Sequence, residues 1–291
     1  MSGGTGAWEQ AGAHHRLGGE SVFAIDRPAA TAELEPVLIL HGFPTCSYDW
    51  RDSVDVLAVR RRVVALDFAG FGLSAKPDRR YSLFEQADVV EALAAELGLT
   101  EVALVSHDMG DSVAGELLAR SLDGTLGFDV TRRVLTNGSI YMELVQLSDG
   151  QQLLLALPDE MLPDGQAPDR TALVAALRGT LAPGSPVDLT ELDALAELVV
   201  RQGGSRLLPR TIRYVEERRR HEDRWTGAIE RHPAPLTIVW GDLDPIAVWP
   251  MAERLQAARP DATLVRLTGI GHYPMLEAPA AFSAALEHAL G

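Results

Sequence analysis

Ser106-His107-Asp108-Met109-Gly110 is the stretch from which the fold is read. It follows a short apolar run, Val102-Ala103-Leu104-Val105, and opens a helical pattern from Ser112 to Arg120. A strand, a sharp turn and a helix, with small residues two before and two after a central reactive group, is the layout of a nucleophile elbow. The flanking residues must be small because a large side chain would clash in so tight a turn. The central residue is Asp, not Ser or Cys. A carboxylate nucleophile does not suit ordinary ester or peptide hydrolysis. It suits displacement at a saturated carbon, giving an alkyl ester of the protein that water then cleaves. That one residue points to epoxides or alkyl halides.

Three more motifs lie at the ends of strand-like runs. His41-Gly42-Phe43-Pro44 follows Val37-Leu38-Ile39-Leu40. Gly241-Asp242-Leu243-Asp244-Pro245 follows Leu236-Thr237-Ile238-Val239-Trp240. Gly271-His272-Tyr273-Pro274 follows Ala262 to Leu267. Each is weak alone. Their order, with nucleophile, acid and His in succession, makes the signal specific.

Composition narrows the partners. With 26 Lys and Arg against 41 Asp and Glu, the net charge is -15. That argues against nucleic acid and anionic membranes, which attract basic surfaces. The apolar fraction of 46% supplies a sizeable core. The single cysteine, Cys46, excludes an internal disulfide and fits a reducing compartment. Met1 to Arg16 lacks an apolar core of signal-peptide length, and no apolar run reaches the roughly 20 residues of a bilayer span. The expectation is a cytoplasmic protein acting on a small apolar organic molecule, with no metal and no cofactor. The assembly expected, if any, is a homodimer.

Along the chain, residues 1 to about 12 read as a mobile tail. His15 to Leu17 and Val22 to Ile25 read as a hairpin across Gly18-Gly19. Val37 to Leu40 and Val63 to Leu66 are apolar without alternation, as buried parallel strands are. Leu83 to Leu97 reads as an amphipathic helix, with Ser82 as N-cap and Glu85 completing a capping box. Strand 102–105, the elbow helix and strand 133–136 follow. The alternation predicts a mostly parallel sheet covered on both faces. It breaks between Ser139 and Trp225, where four helical runs (Leu153 to Leu157, Thr171 to Leu177, Leu189 to Val200, Thr211 to His221) are joined by Pro- and Gly-rich loops. Strands and helices then resume, ending in a helix over 280–290. The implied division is a core over 1–138, a helical cap over 139–225 and a second core segment over 226–291.

These motifs resemble the α/β-hydrolase superfamily over nearly the whole chain. The resemblance implies an eight-stranded, mostly parallel sheet with a helical cap inserted after strand 6. Within it, an Asp nucleophile preceded by His is similar to the epoxide hydrolase and haloalkane dehalogenase branch. Several segments resemble the mesoderm-specific transcript family and its bacterial relatives: His41 to Trp50, Val64 to Ser74, Tyr81 to Ala87, and Ser106 to Asp111.

The resemblance implies a set of roles. Asp108 is the nucleophile. His272 activates water against its ester. Asp244 orients His272, in preference to Asp242, because the resembling families place the acid three residues after the Gly. Some dehalogenases carry the acid after the sixth strand instead, where this chain has Asn137. The backbone N–H groups of Phe43 and Met109 form the oxyanion hole. His41 ties the loop together, His107 stands behind the reacting groups, and Cys46 is a small buried residue. Epoxide hydrolases protonate the departing oxygen with two cap tyrosines. Tyr214 is similar to one of these and Tyr141 is a weaker match. Dehalogenases place halide donors where this chain has Met109 and Phe43, neither with a side-chain donor, which leaves cap donors such as Trp225. The run Arg218-Arg219-Arg220 reads as a solvated helix face. The expected function is epoxide hydrolysis to a vicinal diol. The alternatives are haloalkane dehalogenation and a non-catalytic binding protein on the same fold.

Overall fold

The computed structural model describes residues 4–31 and 34–291. Its eight strands are β1 (Ala13–Leu17), β2 (Glu20–Arg27), β3 (Leu34–Leu40), β4 (Arg61–Leu66), β5 (Glu101–His107), β6 (Asp129–Thr136), β7 (Leu236–Gly241) and β8 (Thr263–Leu267). They form one sheet in the order β1-β2-β4-β3-β5-β6-β7-β8. β1 and β2 are antiparallel to their neighbours, and every pairing from β4 to β8 is parallel. This is the expected eight-stranded, mostly parallel sheet.

The helices are α1 (Thr5–Ala11), α2 (Arg51–Leu57), α3 (Leu83–Glu96), α4 (Met109–Leu122), α5 (Asp149–Ala156), α6 (Arg170–Arg178), α7 (Leu189–Val200), α8 (Leu208–Thr211), α9 (Tyr214–Arg231), α10 (Trp249–Ala258), α11 (Pro274–Glu277) and α12 (Pro279–Leu290). They explain why the central strands are apolar without alternation. Along β3, Leu38 and Leu40 enter one core with side chains of α3, α4, α9 and α10. Val37 and Ile39 enter a second with Trp8, α2 and α12. Successive side chains of a strand point to opposite faces, so a strand covered on both sides must be apolar throughout. Each fully buried Leu or Val contributes about 1.5–3 kcal/mol.

Two expectations are corrected. Residues 5–11 are not a tail but helix α1, fixed by Trp8, which is buried and donates its indole N–H to Ser47 Oγ at 3.3 Å. Ser82 does cap α3, accepting from the Phe84 N–H, but Glu85 completes no capping box. It pairs with Arg79, while Glu217 of α9 accepts from both Ser82 Oγ and the Leu83 N–H at 2.6 Å. A carboxylate from elsewhere in the chain meets the helix N-terminus, where its partial positive charge favours an anion.

Trp225 falls inside α9. That helix runs from Tyr214 to Arg231 and kinks at His221, where φ is −117°. Beyond the kink, Trp225, Ala228 and Ile229 are core residues. A Cβ on Gly115 of α4 would stand 2.9 Å from the Trp225 Cβ, so glycine permits this close crossing. Helices α5 to α8 lie between β6 and α9, and the second half of α9 packs in the core.

Candidate active site

The site lies at the carboxyl ends of the parallel strands. Register brings its parts together: Leu40 of β3 pairs with Ser106 of β5, and His107 of β5 with Thr136 of β6. Asp108 follows β5 immediately and has φ 48° and ψ −110°. A non-glycine residue held there stores on the order of 1–3 kcal/mol of backbone strain. The turn persists because its neighbours fit. A Cβ on Gly110 would approach the Leu40 carbonyl oxygen to 2.5 Å, so no other residue fits without displacing β3. Ser106 Oγ donates to the Asp111 carboxyl, closing the elbow from below.

Asp108 is 1% exposed, and its two carboxylate oxygens differ. Oδ2 accepts from the Phe43 backbone N–H at 2.9 Å. Oδ1 has no hydrogen-bond partner among the described residues. Met109, the next residue, opens α4, and the Asp108 side chain accepts no cap hydrogen bond from that helix. The loop carrying Phe43 is held by His41, whose Nδ1 lies 2.8 Å from the Gly42 carbonyl while Nε2 accepts from the Phe68 N–H at 2.9 Å. One nitrogen donates and the other accepts, so the ring is neutral, in keeping with burial lowering its pKa. Tyr273 supports the same loop, its hydroxyl donating to the Phe43 carbonyl at 3.2 Å.

His272 follows β8, and its Nδ1 lies 2.8 Å from Asp244 Oδ2. Asp244 is saturated with donors: the Ile246 and Ala247 N–H groups meet Oδ1 at 2.7 and 3.0 Å, and Asn137 Nδ2 meets Oδ2 at 2.7 Å. Its rival Asp242 is engaged elsewhere, paired with Arg266 and accepting from the Gly269 N–H. Burial works to lower the His272 pKa. The Asp244 charge and hydrogen bond overcome it, Asp108 and Glu277 add to them, and the imidazole is held up at about 9. His107 is different. Burial, with His272 beside it, pushes it down to about 3, and its Nε2 lies 2.8 Å from the His272 carbonyl oxygen. It braces the His272 backbone.

Two side chains on α9 flank the carboxylate. Tyr214 is 4% exposed and its ring centroid lies 5.5 Å from that of Phe43. Burial and then the Asp108 charge push its hydroxyl well above the usual phenol range, against Arg218 and a hydrogen bond with Gln151. Arg218 corrects the reading of the basic run. Arg219 and Arg220 are exposed, but Arg218 is only 2% exposed and its Nη2 lies 4.0 Å from Asp108 Oδ1. Its position four residues after Tyr214 puts both on one helical face.

Tyr141 is not brought to this place. Its hydroxyl donates to Glu230 at 2.8 Å and its ring lies under Arg254, in a separate hollow. Trp225 is also turned away, its indole N–H donating to Glu116 at 2.8 Å. Cys46 is buried, which raises its thiol well above the ordinary range. The sequence alone gives no role to Asn137 or Glu277. Glu277 accepts from the Gly271 and Ala182 N–H groups at 3.0 and 2.8 Å, and His272 N donates to Thr180 O at 3.1 Å. These bonds fasten the loop before α7 to the His272 loop.

A cavity of about 230 Å³ ends at His272, Tyr273 and Phe43. Its far wall comes from the helical stretch between β6 and β7, chiefly Leu153, Leu154, Leu173 and Leu177, with Gln151 one of the few polar groups. Among the described residues no group of three or more His, Cys, Asp or Glu side chains is disposed to hold a metal ion, and no helix is long and apolar enough to cross a membrane.

The sheet order, the strained elbow and the His–Asp pair at the strand ends define an α/β hydrolase. Residues 37–285 match the model of the alpha/beta hydrolase family, and the chain belongs to that family. It is 40% identical to the putative hydrolase LipZ of Mycobacterium tuberculosis over 265 residues, covering 91% of this chain and 90% of that one. It is 34% identical to the mesoderm-specific transcript protein of Mus musculus, covering 95% and 84% of the two chains. It is thus a hydrolase-fold enzyme close to the mesoderm-specific transcript group. A haloalkane dehalogenase loop variant from Bradyrhizobium elkanii superposes with a TM-score of 0.74 at 23% identity, covering 95% of each chain, which shows the shared fold.

Proposed function

We propose that this hydrolase opens epoxides to vicinal diols through an alkyl ester on Asp108. The observation that carries the reading is the inequality of the two Asp108 oxygens. Oδ1, free of hydrogen bonds, attacks the epoxide carbon. Oδ2, on the Phe43 N–H, becomes the ester carbonyl oxygen and takes up negative charge when water attacks. The C–O bond of the epoxide breaks and its electron pair goes to the ring oxygen, which takes a proton from Tyr214. In the second half, His272 first returns its proton to the Tyr214 phenolate; the neutral imidazole then removes a proton from water, Asp244 stabilises the imidazolium, and the water oxygen adds to the ester carbonyl. The acyl–oxygen bond breaks, the second water proton passes to the departing alkoxide, and the diol leaves with Asp108 again a carboxylate and His272 again protonated.

Charge balance favours this order. The Asp108 carboxylate helps to hold His272 protonated in the resting enzyme. Esterification removes that negative charge, so the imidazole becomes easier to deprotonate when a base is required. The apolar cavity suits an uncharged organic substrate. Dehalogenation uses the same nucleophile and base. It is less well supported because the Trp225 N–H is bonded to Glu116 and so is not offered to a halide. A binding protein without turnover would not need the strained elbow or the His272–Asp244 pair.

The test is His272→Gln mixed with an epoxide panel and a matched haloalkane panel, followed by mass spectrometry of the intact protein. The expected result is an adduct of full epoxide mass on the peptide holding Asp108. An adduct lacking halogen, with halide released, moves the reading to dehalogenation. No adduct with either panel, although substrate binds, removes the ester mechanism.

A further inference from the structure

Arg218 is a buried cation that the hydrolytic cycle above does not use. Its Nε donates to Ser112 Oγ at 2.6 Å and its Nη2 to the Asp108 carbonyl at 3.2 Å. Its guanidinium carbon lies 4.9 Å from the Tyr214 ring centroid. At 4.0 Å, Nη2 is too far from Asp108 Oδ1 for a hydrogen bond but near enough to feel its charge. A purely structural ion pair would place the donors on the carboxylate. Here they go to the elbow backbone and a helix hydroxyl, which fixes the cation and leaves Oδ1 free to attack. Asp111 is a poorer counter-ion than Asp108, because burial raises its carboxyl well above the ordinary range and so disfavours its charge.

We propose that Arg218 is the fixed cation that holds the leaving anion: negative charge balanced on Asp108 in the resting enzyme passes, on attack, to the departing oxygen under the same guanidinium. This rests on the nucleophilic role of Asp108. When Oδ1 bonds to carbon, the carboxylate becomes a neutral ester and Arg218 loses its counter-ion. A lone buried charge is costly, so the site favours an anion in the place just vacated. The electron pair from the broken C–O bond supplies one, first on the epoxide oxygen and then, after proton transfer, on the Tyr214 phenolate stacked against the guanidinium. The change also makes Tyr214 a better acid at that moment. The Asp108 charge that raises its pKa disappears while Arg218 continues to lower it. The ligand class implied for the nucleophile-neutral state is a small monovalent anion.

Bromide is the probe, and Asp108→Asn is a neutral isostere of the esterified state. Bromide binding is measured by calorimetry on wild type, Asp108→Asn and Asp108→Asn/Arg218→Gln, with folding checked by circular dichroism. Asp108→Asn should bind bromide at least about tenfold more tightly than wild type, and the double variant should lose that gain. Equal bromide affinity in wild type and Asp108→Asn overturns the proposal, even if the double variant does not fold. So does a double variant that folds and keeps the tighter binding. Neither result depends on turnover. Adduct formation in His272→Gln therefore judges the ester mechanism separately from the role of Arg218.

Discussion

Asn137 Nδ2 stands 2.7 Å from Asp244 Oδ2, the oxygen that also meets His272 Nδ1. Asn137 follows β6 and Asp244 follows β7, the two strand ends at which enzymes of this kind can carry the acid. This chain keeps a carboxylate at one and an amide donor at the other. The Asn137 Oδ1 accepts from the Gly241 N–H at 3.0 Å, so the amide joins the two strand ends and holds Asp244 toward His272. Its φ of 49° is one that Asn tolerates better than most residues.

Asn137→Asp should therefore be more harmful than its small size suggests. Two carboxylates at hydrogen-bond distance cannot both ionise, and one takes up a proton. Stability should fall by roughly 1–3 kcal/mol, the cost of an unsatisfied buried polar group, and ester hydrolysis should slow more than ester formation. Urea unfolding and rapid-quench kinetics report the two effects. Wild-type rates in both half-reactions would show that Asn137 does not position Asp244.

Asp108→Ala should abolish turnover with circular dichroism unchanged. Asp108→Asn should be nearly inactive when fresh and recover slowly if water hydrolyses the amide in place. Wild-type-like activity in freshly prepared Asp108→Ala protein removes Asp108 from the nucleophile role.

The two tyrosines should behave differently. General-acid help contributes about a hundredfold to ten-thousandfold, and Tyr214→Phe removes only a hydroxyl, so epoxide alkylation should slow by at least roughly tenfold. Tyr141→Phe should leave that step unchanged, because its hydroxyl is bonded to Glu230 in another hollow. Rapid-quench measurement of ester formation separates them. A slow Tyr141→Phe beside a normal Tyr214→Phe would reverse the assignment.

His272 gives a pH signature. Its folded pKa of about 9 exceeds the ordinary 6.5. The stabilisation it carries is therefore complete below about 6.5 and is lost as pH rises through about 9. His272→Gln should flatten that part of the stability profile. Asp108→Asn should lower the imidazole pKa, since the Asp108 charge is one of its supports, and an NMR titration reads this directly. An unchanged or raised pKa in that variant would falsify the coupling.

Gly110→Ala tests the elbow itself. The added Cβ meets backbone oxygens of Leu40 and His41 at 2.5 and 2.7 Å, which no side-chain rotation can relieve. A loss of at least about 1–3 kcal/mol is expected, as for other overpacked sites. Thermal unfolding near the wild-type midpoint would mean that β3 yields more readily than its central place in the sheet suggests.

The features legible in the sequence are those set by near neighbours. Val37 to Leu40 and Val102 to Val105 declare buried parallel strands because a strand covered on both faces has no polar side. Ser106 to Gly110 declares the elbow because its tight turn restricts residues only two positions away. The order of the His, Asp and Gly motifs follows from the sheet. Tertiary structure decided whatever depends on distant partners. Glu217 displaced Glu85 at the N-terminus of α3 across more than a hundred residues. Glu230 and Arg254 fixed the direction of Tyr141, and Glu116 that of Trp225. The packing of α9 on α4 buried Arg218 and left Arg219 and Arg220 in solvent. A charge run looks alike in sequence whether it faces water or a carboxylate. Which arginine is desolvated depends on how a kinked helix crosses the elbow, and that crossing is set by Gly115 and Trp225 rather than by the run itself.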